Sequence, residues 1–222
     1  MMFYRFLMLV ICGLSLSACV TPTYQDHSQK TSAQAEMNSK DVNFKISGLY
    51  YRDPPECVVV METKTDKQPA MARMISIALA RHLGEKIDRV IFPRKRVYIA
   101  KKQGYDLSNK QDLRRFSQFS KCRFYVNAEL YDLGDEFAVV FSEKHVGIKI
   151  DMMRFEDDEP VWQAAHTVWR ADGGMPLSPM GALGGIASAA MFSSDTEILP
   201  SLVDDAMRRM VRTLPPDMML DR

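Results

Sequence analysis

An α/β (α+β) domain is the fold class that the sequence predicts: a mixed sheet entered by strand–helix–strand, continued by an antiparallel meander and closed by a packed C-terminal helix. Three observations predict it. Cys57-Val58-Val59-Val60-Met61 is a continuous, largely β-branched run, the pattern of a strand buried on both faces. Phe124, Val126, Ala128 and Leu130 alternate with Tyr125, Asn127, Glu129 and Tyr131, the pattern of a strand with one solvated face. Leu199, Leu202, Val203, Ala206, Met207, Met210, Val211 and Leu214 recur at helical spacing, giving one apolar stripe.

The chain opens with a weakly basic n-region at Arg5, an apolar run from Phe6 to Leu16, and the small residues Ser17 and Ala18. Those are the parts of a secretory signal. The run falls short of the roughly 20 apolar residues that a membrane span needs. Leu16-Ser17-Ala18-Cys19 resembles the lipobox of bacterial lipoproteins at all four positions. Cleavage is therefore expected between Ala18 and Cys19, with Cys19 becoming the acylated first residue of the mature chain. Bacterial lipoproteins resemble one another in carrying three acyl chains of the palmitate class, and anchoring that holds needs more than one. Val20 stands where an Asp commonly retains such proteins at the inner membrane, so the resemblance implies the outer membrane, with the domain facing the periplasm.

Residues 1–18 therefore read as a leader, 19–40 as a lipidated N-terminus and flexible tether, and 41–222 as a single α/β domain. The tether is polar, rich in Gln, Ser, Thr and Lys, and cannot bury enough surface to offset its ordering entropy. Of the 29 basic residues only Arg5 lies in the leader, leaving 28 against 28 acidic ones. That balance argues against a nucleic-acid-binding domain, which carries a basic stripe.

Within the domain, Val42 to Tyr51 alternates weakly and ends at Asp53-Pro54-Pro55. The Cys57–Met61 strand is followed by Pro69, tolerated in a first helical turn, and by a stripe of Met71, Met74, Ile75, Ala78, Leu79 and Leu83. Val90-Ile91-Phe92 reads as a short strand, and Val97-Tyr98-Ile99 as another or as its continuation. Ser108 to Gln111 fits a capping box for a helix edged by Leu113, Phe116 and Phe119. Leu133-Gly134-Asp135 reads as the turn after the alternating strand, with Phe137 to Phe141 returning. Val146, Ile148, Ile150 and Met152 form the next strand, Glu156 to Glu159 a solvated hairpin tip, and Val161 to Trp169 the strand back. Gly181, Gly185 and Ala189 recur at four-residue spacing in an apolar stretch running to Phe192, a helix against the sheet, an ordered loop, or a surface for membrane or subunit contact. In the last helix Asp204 and Asp205 precede Arg208, Arg209 and Arg212, complementing the helix dipole.

Two cysteines remain after the lipobox, Cys57 and Cys122. They form either a disulfide, in an oxidising compartment, or two buried thiols in neighbouring strands. No nucleophile elbow or S-x-x-K occurs, and His27, His82, His145 and His166 show no metal-ligand spacing. His82 reads as a packing residue, and His145 and His166 as a shared site only if their strands place them together. Trp162 and Trp169 are core or rim residues, with Trp162 an interface candidate if exposed. No catalytic, cofactor-binding or metal residue is expected.

Cys57 to Met61 as first strand, Met71 to Leu83 as first helix, Phe124 to Leu133, and Asp157-Asp158-Glu159-Pro160-Val161-Trp162 as an acidic turn before an apolar-Trp pair together resemble a family. It is that of envelope lipoproteins with a domain like the amino-terminal domain of TolB and the curli-channel lipoprotein CsgG, in a branch with a Gly-rich segment before the last helix. The resemblance implies a binding or assembly module of an envelope complex, not an enzyme, with a membrane anchor and an envelope partner or self-association. A subunit of an oligomeric secretion or transport channel is the alternative, and a hydrolase the third reading.

Overall fold

The computed structural model describes residues 25–26, 42–65, 68–138, 141–173 and 191–215. The elements are β1 (Gln25–Asp26), β2 (Asn43–Ile46), α1 (Gly48–Arg52), β3 (Cys57–Val60), α2 (Pro69–Leu83), β4 (Arg89–Ile91), α3 (Pro93–Gln103), α4 (Lys110–Ser120), β5 (Phe124–Ala138), β6 (Phe141–Arg154), β7 (Pro160–Gly173) and α5 (Ile198–Val211). The strands form one mixed sheet in the order β1-β2-β7-β6-β5-β3-β4, so the expected α/β class is what the chain adopts. β3 is parallel to both β4 and β5, whereas β5, β6 and β7 run antiparallel.

β3 is buried at all four residues, and its alternating side chains serve two different cores. Val58 and Val60 join the larger core with Ile75, Leu79 and Leu83 of α2 and Val203, Met207 and Met210 of α5. Cys57 and Val59 join a smaller one with Ala100 of α3 and Phe116 of α4. Helices thus cover both faces at the β3–β4 end, α2 and α5 on one side, α3 and α4 on the other.

Three local expectations are corrected. Val97-Tyr98-Ile99 is not a strand but lies inside α3. Pro93 pre-sets the first helical turn, the Lys and Arg residues around it are good helix formers, and Gly104 closes the helix in the left-handed conformation at φ 69°. The cap of α4 is Asn109, whose side chain accepts from the Gln111 N–H at 2.8 Å, while Ser108 donates to Asp106. Leu133-Gly134-Asp135 is not a turn, because β5 runs straight through it in register with Val146, His145 and Lys144. Gly134 is there for close approach: a Cβ on it would collide with the His145 ring.

The acidic tip between β6 and β7 supplies its own cation. Arg154 donates to Asp157 and to Glu159, and Asp158 accepts from Tyr125 at 2.8 Å and from Lys110 at 3.0 Å. Asp158 thereby ties the hairpin to α4. Burial, reinforced by Asp158, pushes the Tyr125 hydroxyl well above its ordinary pKa.

α2 and α5 are locked together by Asp204, which accepts from His82 Nε2 at 2.7 Å and from Arg81. Burial alone would raise the Asp204 carboxyl, but the hydrogen bonds and charges of His82 and Arg81 outweigh it and hold the pKa below its ordinary value. A carboxyl depressed by folding adds stability that is full above its unfolded pKa and lost as pH falls through the folded one. Asp204→Asn is accordingly expected to lower stability by about 1 kcal/mol at pH 7, a modest value because the pair is part-exposed. It should also lose part of the decline in urea midpoint between pH 5 and pH 2, measured beside wild type.

Candidate functional site

At the carboxyl ends of β3 and β4 the chain leaves in opposite directions, to α2 on one face of the sheet and to α3 on the other. In α/β sheets a crevice opens where connections diverge in this way, and ligands bind there. The segment after β3 widens it by staying with β5. Met61 N–H donates to Val126 O at 2.9 Å, Lys64 N–H to Ala128 O at 2.8 Å, and Leu130 N–H to Lys64 O at 3.0 Å. Ser76 spends its hydroxyl proton on Ala72 O at 2.8 Å, so the buried 2.6 Å bond to Thr63 is donated by Thr63. That bond pins the segment to α2.

The resulting groove has a volume of about 1280 Å³ and is walled by residues 62–65, the first half of α2 and the start of α3. Among the described residues, Lys64, Arg73, Arg94 and Arg96 line it with one acid, Glu62. Ile77, Phe92 and Val97 line it too, and all three are exposed large apolar side chains. Both helices begin here with proline, and neither has a side chain capping its first amides. Arg96 is the outlier of the site. It is only 7% exposed, its Nε has no hydrogen-bond partner, and burial holds its guanidinium below the ordinary pKa, with Glu62 partly offsetting.

Sequence reasoning did not single out this groove. The one signal for it was two prolines following two strands, each marking a helix start at the same edge.

The residues singled out from the sequence fall elsewhere. Cys57 and Cys122 are joined in a disulfide with Cα atoms 5.1 Å apart, at the opposite end of β3 from the groove. Arg89 lies over it, donating from Nε to Cys57 Sγ at 3.1 Å. Trp162 is fully buried in the larger core and donates to Thr213 Oγ1 at 2.9 Å. It is therefore no interface residue: β7 turns its even-numbered side chains toward α5, and the exposed tryptophan is Trp169. His145 pairs with Trp169 and His166 with Ile148 in the β6–β7 register. An odd offset along a strand places the two histidines on opposite faces, so no shared site forms. His82 is the Asp204 partner described above. Cys19 and the cut after Ala18 lie outside the described residues, as do Gly181, Gly185 and Ala189. Most of the expected tether lies outside them too, although Gln25–Asp26 pairs in parallel with Asn43–Phe44 at the sheet edge. Among the described residues no group of three or more His, Cys, Asp or Glu could hold a metal ion, and no helix is long and apolar enough to cross a membrane.

No family model matches the chain, and no curated protein does. Solved structures resemble it in chain path. A PelC dodecamer from Paraburkholderia phytofirmans is 14% identical with a TM-score of 0.43, covering 76% of this chain and 96% of that one. The lipoprotein GNA1162 from Neisseria meningitidis is 16% identical with a TM-score of 0.40, over 62% and 96%. The hypothetical protein CT253 from Chlamydia trachomatis is 11% identical with a TM-score of 0.34, over 71% and 99%.

The disulfide joins residues 65 apart in sequence. Replacing both cysteines by serine is expected to lower stability by about 4 kcal/mol in the chain-entropy account, read as a shift of the urea midpoint.

Proposed function

We propose that this chain is an outer-membrane lipoprotein, anchored through acylated Cys19, whose α/β domain acts in the periplasm as a binding or assembly module of an envelope complex. One observation carries the reading. Once Cys12 is removed with the leader and Cys19 is acylated, two cysteines remain, and the fold pairs them. Paired cysteines suit an oxidising compartment beyond the inner membrane, which is where the Leu16–Cys19 run would send the chain. The balance of 28 basic and 28 acidic residues after the leader fits a protein-facing or small-ligand-facing module better than a nucleic-acid binder.

We further read the domain as a module without catalysis, since the His145–His166 pair, the one sequence feature that supported a hydrolase, is split across the sheet. The TolB-amino-terminal-like and CsgG-like kinship stays part of this proposal. β3, α2 and the start of β5 are the elements on which it rests.

Cys19→Ala removes the acylated residue, so the variant is expected to disappear from the outer-membrane fraction, whether its leader is then cut by another peptidase or retained at the inner membrane. Presence of that variant in the outer-membrane fraction at the wild-type level would falsify the anchor. Cross-linking in intact cells then separates the module from the channel-subunit alternative. A monomer captured with a second envelope protein supports the former, and a closed ring of identical chains the latter.

A further inference from the structure

We infer that the groove at the carboxyl ends of β3 and β4 is a binding site for a small phosphate monoester with an apolar body. The site stands on its own geometry and does not depend on the Cys19 anchor.

Charge is the first ground. Arg94, Lys95 and Arg96 occupy the first turn and a half of α3, which has no acidic residue in its first turn. Cations there oppose the helix dipole, whose N-terminus is already positive. α2 starts at the same groove, likewise without an acid in its first turn and without a side-chain cap. Lys64 and Arg73 add two more charges, and among the described residues that line the groove Glu62 is the one acid. Such an arrangement costs stability while empty and gains it when an anion enters. A dianionic phosphoryl group answers more of that charge than a carboxylate.

Arg96 is the second and independent ground. Side chains on a helix lean toward its N-terminus, so Arg96 reaches back over the first turn of α3 into the groove that it lines. It is nine-tenths buried, and its guanidinium has no hydrogen-bond or ion-pair partner among the described residues. A buried guanidinium is normally paired, and its planar donor fork matches phosphate oxygens. The fold has placed a guanidinium, whose donors match phosphate oxygens, where no described residue hydrogen-bonds it.

The apolar body follows from the rim. Ile77 is 54% exposed, Phe92 43% and Val97 40%, and all three line the groove beside the cations. They offer a face for the part of the ligand that carries no charge, while the helix amides and Arg96 hold the head.

Phenyl phosphate titrated into the purified full-length chain, followed by calorimetry, tests this directly. One molecule is expected to bind per chain, inorganic phosphate to compete more weakly, and phenol not to compete. Arg96→Gln should weaken phenyl phosphate at least about tenfold, in line with losing a charge-assisted bidentate contact. Its melting temperature without ligand should equal or exceed that of wild type, because an uncompensated buried charge has been removed. Arg73→Gln, at the exposed rim, should weaken binding severalfold with no change in melting. The inference is overturned if wild type shows no saturable binding or if Arg96→Gln binds as well as wild type. It also fails if Arg96→Gln melts lower or does not fold, which would make Arg96 a structural residue.

Discussion

Everything in the domain hangs on the double burial of β3. Four residues, Cys57 to Val60, hydrogen-bond in parallel to a strand on each side, and their side chains alternate between two cores. Slipping such a strand by one residue would exchange the two sets. Val58 and Val60 would then face α3 and α4, and the Cys57 sulfur would lose Cys122. The disulfide fixes the register at one end of the strand. At the other end, the hydrogen bonds of Met61 and Lys64 to β5 continue it. The groove lies just beyond this fixed strand, between the starts of α2 and α3.

Away from β3 the sheet is organised by the opposite condition, one covered face. In β5, β6 and β7 the residues Val126, Ala128, Ile148, Ile150, Met152, Trp162 and Ala164 point toward α2 and α5, while Asn127, Glu129, Lys149, Asp151 and Gln163 are on the other side. Two glycines sit on that open side beneath rings. His145 covers Gly134, and Tyr131 covers Gly147 on its way to Thr167, 2.7 Å from its hydroxyl. A glycine interior to a strand weakens it, and an aromatic side chain from the neighbouring strand lying over it restores part of the lost contact. The single irregularity in the β5–β6 register, between Leu130 and Asp132, is where Tyr131 is turned to do this.

How much of this was legible follows from which signals are local. The two-faced strand, the alternating meander and the dipole-matched α5 are each written in one stretch of chain, and each is present where the residues placed it. The misread stretches were those in which a partner far away in sequence decides. Val97-Tyr98-Ile99 has strand-forming residues, yet the proline at Pro93 and the left-handed Gly104 bracket a helix. Gly134 looks like a turn until the ring of His145 is known to lie over it. Trp162 looked like a surface candidate because nothing nearby in sequence names Thr213 as the acceptor for its indole N–H. The groove was invisible for the same reason: its walls come from residues 62–65, α2 and α3, and only the divergence of two helices from adjacent strands brings them together.

Two buried cations show how the fold treats charge when it has only itself to satisfy. Lys144 is 3% exposed, and its ammonium donates to the Ser193 carbonyl at 2.8 Å and the Asp195 carbonyl at 3.2 Å, with Asp135 3.6 Å away. Two carbonyls and an opposite charge answer the ammonium, and the two carbonyl bonds fasten the segment entering α5 to β6. Arg96 is buried to a similar degree with a larger and more demanding donor set, and the described residues offer it no hydrogen-bond acceptor. The acid nearest in effect is Glu62, which acts on Arg96 through its charge and not through a hydrogen bond. A buried charge left unanswered destabilises the state that contains it, and local rules are broken in this way chiefly where a site has work to do. Lys144 is what a structural cation looks like in this protein. Among the described residues Arg96 departs from that pattern where two uncapped helices begin and like charges gather, and an anion from outside the chain would answer all three departures.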